Sequence, residues 1–214
     1  MIAIIDYGLS NMKSIENVLS FLSLDYEVIN TATDMTKYSH VILPGVGAFI
    51  DGMKGLKERG LDIVLKDLAN KGVPILGICL GMQLLLDKSL EFGETKGLSL
   101  FSGVVKPLKF EKKDNMYDKK VPHIGWNRLL KNRVEWEGNI LDNLVGDEVY
   151  FVHSFFCDLY NQNQVIANTS YHNHMFASVI RNKNVYGCQF HPEKSAKVGI
   201  QIVENFIKFG EKNE

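Results

Sequence analysis

The stretch Gly72-Val73-Pro74-Ile75-Leu76-Gly77-Ile78-Cys79-Leu80-Gly81-Met82-Gln83 constrains the fold more than any other. An apolar run this short, closed by turn residues, fits a strand buried on both faces of a parallel sheet. A helix is expected to begin near Leu80 and to run through Met82, Leu84, Leu85 and Leu86. Cys79 falls at the turn between Gly77 and Gly81, the G-x-nucleophile-x-G pattern of a nucleophile elbow with cysteine in place of serine. The glycines permit a tight bend and keep side chains away from the sulfur. The N-terminal end of the following helix would favour a thiolate and a developing oxyanion. Cys79 could equally be a small buried residue in a strand-to-helix turn, so its partners must decide.

The rest of the first half alternates strands with helices. Strands are expected at Ile2–Asp6, Tyr26–Ile29 and Val41–Leu43, and helices at Asn11–Leu22, Ala48–Leu56 and Leu61–Asn70, the last closed by Gly72. This order predicts an α/β fold: a doubly wound, mostly parallel sheet flanked by helices, with sites at the carboxyl ends of its strands. Pro44-Gly45-Val46-Gly47 and Cys79 both occupy such ends. In the second half, short strands are expected at Val104–Phe110, Ile124–Leu129, Val149–His153, Val165–Thr169, Met175–Arg181 and Val185–Phe190. They add antiparallel pieces before a closing amphipathic helix, Ser195–Phe209. The charged stretch Lys109–Lys120 reads as a solvated hairpin or loop. Neither a repeat nor a low-complexity linker interrupts the 214 residues, so a single domain over 1–214 is expected.

His191-Pro192-Glu193 follows the strand Val185–Phe190. Proline biases the residue before it towards extended geometry, and residues two apart in an extended segment share a side. Glu193 can therefore hold one nitrogen of His191 and leave the other to take a proton from Cys79, a nucleophile–base–orienter arrangement. A lone His-Pro-Glu could be a polar cap at a strand end; its pairing with an elbow cysteine in one α/β chain favours catalysis. Such a cysteine suits acyl transfer, with the N–H of Leu80 and an N–H from Gly45-Val46-Gly47 facing the oxyanion. Val46 and Gly47 thus join Leu80 as oxyanion candidates, although Pro44–Gly47 could also be a plain strand-to-helix turn.

Formal net charge is −1, which gives no reason to expect a nucleic-acid or membrane-surface partner. Three cysteines without a CxxC pair fit a reducing compartment. The N-terminus lacks a basic leader, no apolar run approaches a membrane span, and a cytoplasmic location is expected. His172-Asn-His174 has metal-ligand spacing, but no carboxylate or cysteine joins it; no metal and no cofactor are expected. His40 and His123 read as structural or interfacial, and Cys157 and Cys188 as buried small residues.

Gly77-Ile-Cys-Leu-Gly-Met-Gln83 together with Gln189-Phe-His-Pro-Glu-Lys-Ser195 resembles the class I (triad-type) glutamine amidotransferases. Asp6-Tyr-Gly8, Asn11-Met-Lys-Ser14, Leu43-Pro-Gly-Val-Gly-Ala-Phe49, Pro122-His-Ile-Gly-Trp-Asn127 and Tyr150-Phe-Val-His-Ser154 narrow the resemblance. They are similar to the glutaminase subunits that serve imidazole glycerol phosphate synthases in histidine biosynthesis. The resemblance covers nearly the whole chain. It implies hydrolysis of L-glutamine to glutamate and ammonia, and delivery of ammonia to a separate (β/α)8-barrel synthase subunit in a heterodimer. It assigns Cys79, His191 and Glu193 to the triad; Gln83, Ser154 and Phe155 to the amino-acid end of glutamine, the last two partly through backbone; and Trp126 and Lys194 to the subunit interface. Trp126 could instead be a core aromatic. Phe155-Phe156 replaces a usual tyrosine pair, and Ser10, Ser99 and Ser102 also depart from the family pattern without touching the triad. Two other uses of this chemistry remain: ammonia supply to a sugar-nucleotide amidotransferase, or a free-standing γ-glutamyl hydrolase. If a partner controls the site, the glycine-flanked Gly45–Val46 peptide is the natural switch. Its N–H would point away in the idle state and inward when the partner is docked.

Overall fold

Ile2, Ala3, Ile4 and Ile5 are all buried, yet they serve two different cores. Ile2 and Ile4 pack on one side of their sheet, and Ala3 and Ile5 on the other. A strand covered on both faces loses the apolar/polar alternation of a half-exposed one, which explains the continuous apolar runs in the sequence. Val41–Leu43 and Ile75–Ile78 divide between the same two cores.

The computed structural model describes residues 1–9, 11–32, 35–109 and 121–210. In chain order the elements are β1 (Ile2–Ile5), α1 (Met12–Phe21), β2 (Tyr26–Ile29), β3 (His40–Leu43), α2 (Phe49–Glu58), α3 (Leu61–Asn70), β4 (Ile75–Ile78), α4 (Leu80–Leu84), β5 (Leu86–Ser89), β6 (Thr95–Lys96) and β7 (Phe101–Pro107). They continue with β8 (His123–Arg128), β9 (Leu130–Lys131), β10 (Glu148–His153), β11 (Phe155–Leu159), β12 (Val165–Tyr171), β13 (His174–Asn182), β14 (Val185–Cys188) and α5 (Ala196–Gly210).

The main sheet has eight strands in the order β2-β1-β3-β4-β14-β13-β12-β9. Pairing is parallel from β2 through to β14, and antiparallel from β14 outward. Helices α2 and α3 cover one face through Phe49, Met53, Leu56, Leu61, Leu65 and Leu68. The other face is covered by α1 and α5 through Ile15, Leu19, Ile202, Val203 and Phe206. Each such fully buried aliphatic or aromatic side chain contributes about 1.5–3 kcal/mol. The expected doubly wound sheet with antiparallel additions is therefore present. A separate four-stranded sheet, β11-β7-β5-β6, is antiparallel except for the parallel β5–β7 pair, and β10 pairs antiparallel with β8.

The expected helix from Leu80 through Leu86 is wrong in extent. It stops at Leu84, and Leu86 opens strand β5. The cause is competition for backbone carbonyls. Leu84 O accepts from Leu98 N–H at 2.9 Å, Leu85 O from Leu100 N–H at 2.8 Å, and Leu86 O from Ser99 N–H at 3.1 Å. Those acceptors are not left for a further helical turn. With only five residues in α4, an aligned helix dipole at Cys79 is correspondingly weak, and the local N–H groups carry the electrostatics. Strands β5, β6, β9 and β11 were not expected. The Lys109–Lys120 expectation falls, apart from exposed Lys109, outside the described residues, as does Ser10.

Candidate active site

Three neighbouring parallel strands deliver the candidate residues. Pro44–Gly47 follows β3, Cys79 follows β4, and His191 follows β14, which lie side by side. Strands about 4.8 Å apart bring their carboxyl-terminal extensions within one site.

Cys79 takes φ 54° and ψ −108°, a conformation that costs a non-glycine residue about 1–3 kcal/mol. Its N–H donates to Cys188 O at 2.7 Å, which ties the elbow to β14. The flanking glycines are needed for space. A Cβ on Gly81 would lie 1.8 Å from Leu43 O, so no side chain fits between the elbow and β3. Cys79 itself is only 7% exposed.

His191 and Glu193 stand on the turn after β14, their side chains each 3% exposed, with His191 Nδ1 2.7 Å from Glu193 Oε1. His191 N–H donates to Tyr150 O at 2.9 Å, fixing the backbone beneath the ring. Among the described residues Nε2 makes no regular hydrogen bond, and it interacts with Cys79. Burial opposes a charged imidazole here, but the interactions with Cys79 and Glu193 outweigh it and raise the His191 pKa to about 10. The ring is thus tuned to accept and hold a proton.

The oxyanion candidates are not in place together. Val46 N–H donates to Leu9 O at 2.9 Å, while Leu80 N–H meets the Gly45 carbonyl at 3.4 Å. The Gly45–Val46 peptide therefore presents its oxygen, not its hydrogen, to the Leu80 donor. Gly47, with φ 99°, follows immediately.

Val46, Gly47, Cys79, Leu80, Gln83, Glu91, Phe92, Pro122, Val152, His153, Ser154, Phe155 and His191 line one cavity of about 460 Å3. All the triad and oxyanion candidates except Glu193 reach it, as do Gln83, Ser154 and Phe155. Gln83 Nε2 donates to Phe155 O at 3.1 Å and to Gln189 Oε1 at 3.3 Å, and Ser154 O accepts from Leu108 N–H at 2.8 Å. Trp126 and Lys194 do not line the cavity. Trp126 is 53% exposed on β8, which rules out the core reading, and Lys194 is exposed beside the triad turn. His40 is buried edge-on against Phe206, as a structural histidine, and His174 packs edge-on against Phe156. Cys157 and Cys188 are free and buried, and burial pushes both thiol pKa values up. Among the described residues no helix is long and apolar enough to cross a membrane.

The model of the family "Glutamine amidotransferase class-I" matches residues 3–209 of the chain. The chain belongs to the class I glutamine amidotransferases. Among its relatives, imidazole glycerol phosphate synthase subunit HisH 1 from Legionella pneumophila (strain Lens) is 40% identical over 210 residues, covering 97% of this chain and 98% of that one. Subunit HisH from Listeria monocytogenes serotype 4b (strain CLIP80459) is 43% identical over 206 residues, covering 96% and 94%. Identity at this level places the amidotransferase among the HisH subunits. Two solved structures share the fold. A glutamine amidotransferase superposes with TM-score 0.73 at 15% identity, covering 98% of both chains. PurLQS from Thermotoga maritima gives 0.72 at 18%, covering 97% of both. Membership makes this amidotransferase an enzyme with glutaminase activity.

Sequence reasoning missed three polar residues of the site. Gln189 is fully buried, and its Nε2 stands 3.9 Å from Cys79 Sγ. Its position two residues before His191 was a usable signal, since both then face the same side. Glu91 is the one carboxylate among the described residues that line the cavity, and its Oε2 accepts from Phe49 N–H at 2.7 Å. His153, inside the quoted Val-His-Ser motif, also lines the cavity. Nothing in the local sequence marks Glu91.

Proposed function

We propose that this amidotransferase hydrolyses L-glutamine to L-glutamate and ammonia through a Cys79 thioester, and supplies the ammonia to the synthase subunit of imidazole glycerol phosphate synthase. One observation carries the reading: Glu193 holds His191 Nδ1 at 2.7 Å while the other side of the ring interacts with the strained elbow cysteine.

The chemistry follows from that geometry. His191 Nε2 takes the Cys79 proton as Sγ attacks the γ-carboxamide carbon of glutamine. The carbonyl π electrons move to oxygen, and the tetrahedral oxyanion faces Leu80 N–H. The C–N bond breaks as the departing nitrogen takes the proton from His191, releasing ammonia and leaving a thioester. Water, deprotonated by His191, then attacks the thioester; glutamate leaves and the proton returns to sulfur. Glu193 stabilises the imidazolium without accepting its proton. Glu91, the only carboxylate among the described residues lining the cavity, is suited to the substrate ammonium, and the Ser154-Phe155 backbone to its carboxylate; Gln83, whose Nε2 protons go to Phe155 O and Gln189 Oε1, borders the amino-acid end.

Hydrolysis without an acceptor wastes nitrogen, and the Gly45–Val46 peptide offers the control. With Val46 N–H on Leu9 O and the Gly45 carbonyl against Leu80 N–H, the hole lacks one donor and has its other occupied. A half-turn of this one peptide would reverse both. A docked partner that favours the turned-in orientation would raise kcat by population shift. We propose that this partner is a (β/α)8-barrel subunit that covers the cavity mouth, where Val46 and Phe92 are exposed, and that exposed Trp126 and Lys194 add to the same interface. The HisH relatives favour this acceptor over sugar-nucleotide amidotransfer or a free-standing hydrolase.

Ammonia release from glutamine, with and without the barrel subunit and its ligand, tests the proposal. Slow release alone and strong stimulation by the barrel are expected. Full turnover by the isolated chain would favour the free-standing hydrolase.

A further inference from the structure

A polar chain runs from strand β8 to the candidate nucleophile, and its inner links are two buried histidines. Asn127 Nδ2 lies 3.4 Å from His123 Nε2. His123 Nδ1 lies 3.0 Å from His153 Nε2, and His153 Nδ1 lies 2.8 Å from Phe155 O. The same carbonyl accepts from Gln83 Nε2, which reaches Gln189 and, through it, Cys79. Aromatic rings enclose the pair. His123 stacks on Tyr171 at 4.0 Å and on Phe151 at 4.8 Å, and Phe176 meets both imidazoles edge-on.

Elementary donor–acceptor accounting fixes every proton in the chain. A carbonyl only accepts, so His153 carries its proton on Nδ1 and, when neutral, has a lone pair on Nε2. His123 must then donate from Nδ1, which leaves its own Nε2 as an acceptor. Asn127 supplies the donor there. Its amide orientation is set independently, because Nδ2 also donates to Ser170 O at 3.0 Å and Oδ1 accepts from Arg128 N–H at 2.8 Å. The reverse polarity fails at Phe155 O, and a proton added to His153 Nε2 would face His123 Nδ1–H. The buried rings therefore work only as two neutral Nδ1–H tautomers.

We propose that His123 and His153 are positioning residues for glutamine hydrolysis: this donor chain holds the Phe155 carbonyl, and through it Gln83, in the orientation that receives the amino-acid end of the substrate. The inference rests on the glutaminase reading. Both lone pairs of the Phe155 oxygen are engaged, one by Gln83 and one by His153, so its role is to set the pocket wall. If His153 adopts the other tautomer, a lone pair on Nδ1 opposes the carbonyl and the start of β11 is released. Burial keeps both rings neutral, lowering the pKa of His123 to about 4 and that of His153 to about 3. The titratable neighbours that add to this are His172 in the β12–β13 turn for His123, and His123 and His191 for His153.

The test uses the full chain. Long-range 1H–15N NMR should show two Nδ1–H histidines that do not titrate between about pH 5 and 8, the window in which ordinary histidines do. With the partner subunit present, His123→Leu should raise KM for glutamine about 5–10-fold, the worth of one hydrogen bond, with a smaller change in kcat. His123→Asn, whose amide can donate where Nδ1 did, should recover most of the loss. An Nε2–H tautomer in either ring, titration near neutrality, or equal KM values for the leucine variant and the parent would overturn the proposal. If the leucine variant does not fold, the parent spectrum decides. Absence of any ammonia release from the parent would instead strike the glutaminase reading, leaving the tautomers to be read separately.

Discussion

The Gly45 carbonyl oxygen lies 3.4 Å from Leu80 N–H. The donor best placed for an oxyanion thus meets a backbone oxygen that a substrate would have to displace. Val46→Pro deletes the N–H that donates to Leu9 O and would be needed in the turned-in state. It should bind glutamine but lose most of the partner's stimulation, in line with the about 10²–10³-fold in kcat that one oxyanion donor supplies. Steady-state kinetics with and without the barrel measure this; stimulation equal to the parent's would place the second donor elsewhere.

Gly45 is confined on its other side. A Cβ there would lie 1.9 Å from Tyr7 Oη, a buried hydroxyl with no hydrogen-bond partner among the described residues. Gly45→Ala should cost about 1–3 kcal/mol of stability through overpacking, read from urea unfolding. Adding Tyr7→Phe removes the clashing oxygen and should return much of that loss. Unfolding midpoints that match for parent and Gly45→Ala would show that the strand yields freely.

Glu193 orients His191 and is not the base. Glu193→Gln should therefore reduce turnover by less than the about 10²–10⁴-fold expected when the general base is lost, as in His191→Ala. Iodoacetamide labelling of Cys79 should remain faster in Glu193→Gln than in His191→Ala. Complete and equal loss in the two variants would contradict the orienting role.

Stability should peak near neutral pH. The His191 pKa is raised from its ordinary 6.5 to about 10, so its contribution is full below about pH 6.5 and is lost as pH rises towards 10. His123 and His153 are shifted the other way, to about 4 and about 3. The unfolded chain then binds protons that the folded rings refuse, and stability falls as pH drops from about 6.5 towards 3. Urea midpoints across this range should trace both limbs, and His191→Asn should flatten the alkaline one. An alkaline limb unchanged in that variant would contradict the assignment.

Much of the site was legible because it depends on short-range geometry. Gly77–Gly81 announces the elbow, and the two-residue spacing of His191 and Glu193 predicts a contact seen at 2.7 Å. The parallel sheet followed from apolar runs such as Ile2–Ile5 separated by helical stripes. Strand β5 was hidden because Leu84-Leu85-Leu86 suits a buried helix as well as a buried strand. The choice is made by N–H groups of Leu98, Ser99 and Leu100, which come from a different segment. Glu91 reaches the cavity by the same folding of that segment, and a lone acid between Leu90 and Phe92 carries no mark of it. The His123–His153 contact joins strands 30 residues apart, and only their pairing in the β8–β10 ladder brings the rings together.

Cys79 as the covalent nucleophile of a glutaminase is tested by incubation with a glutamine-mimicking diazoketone, followed by digestion and mass spectrometry. One adduct at Cys79, abolished by Cys79→Ala and suppressed by excess glutamine, is the predicted result. An adduct at Cys157 or Cys188 instead, or none while ammonia is still released from glutamine, would contradict it.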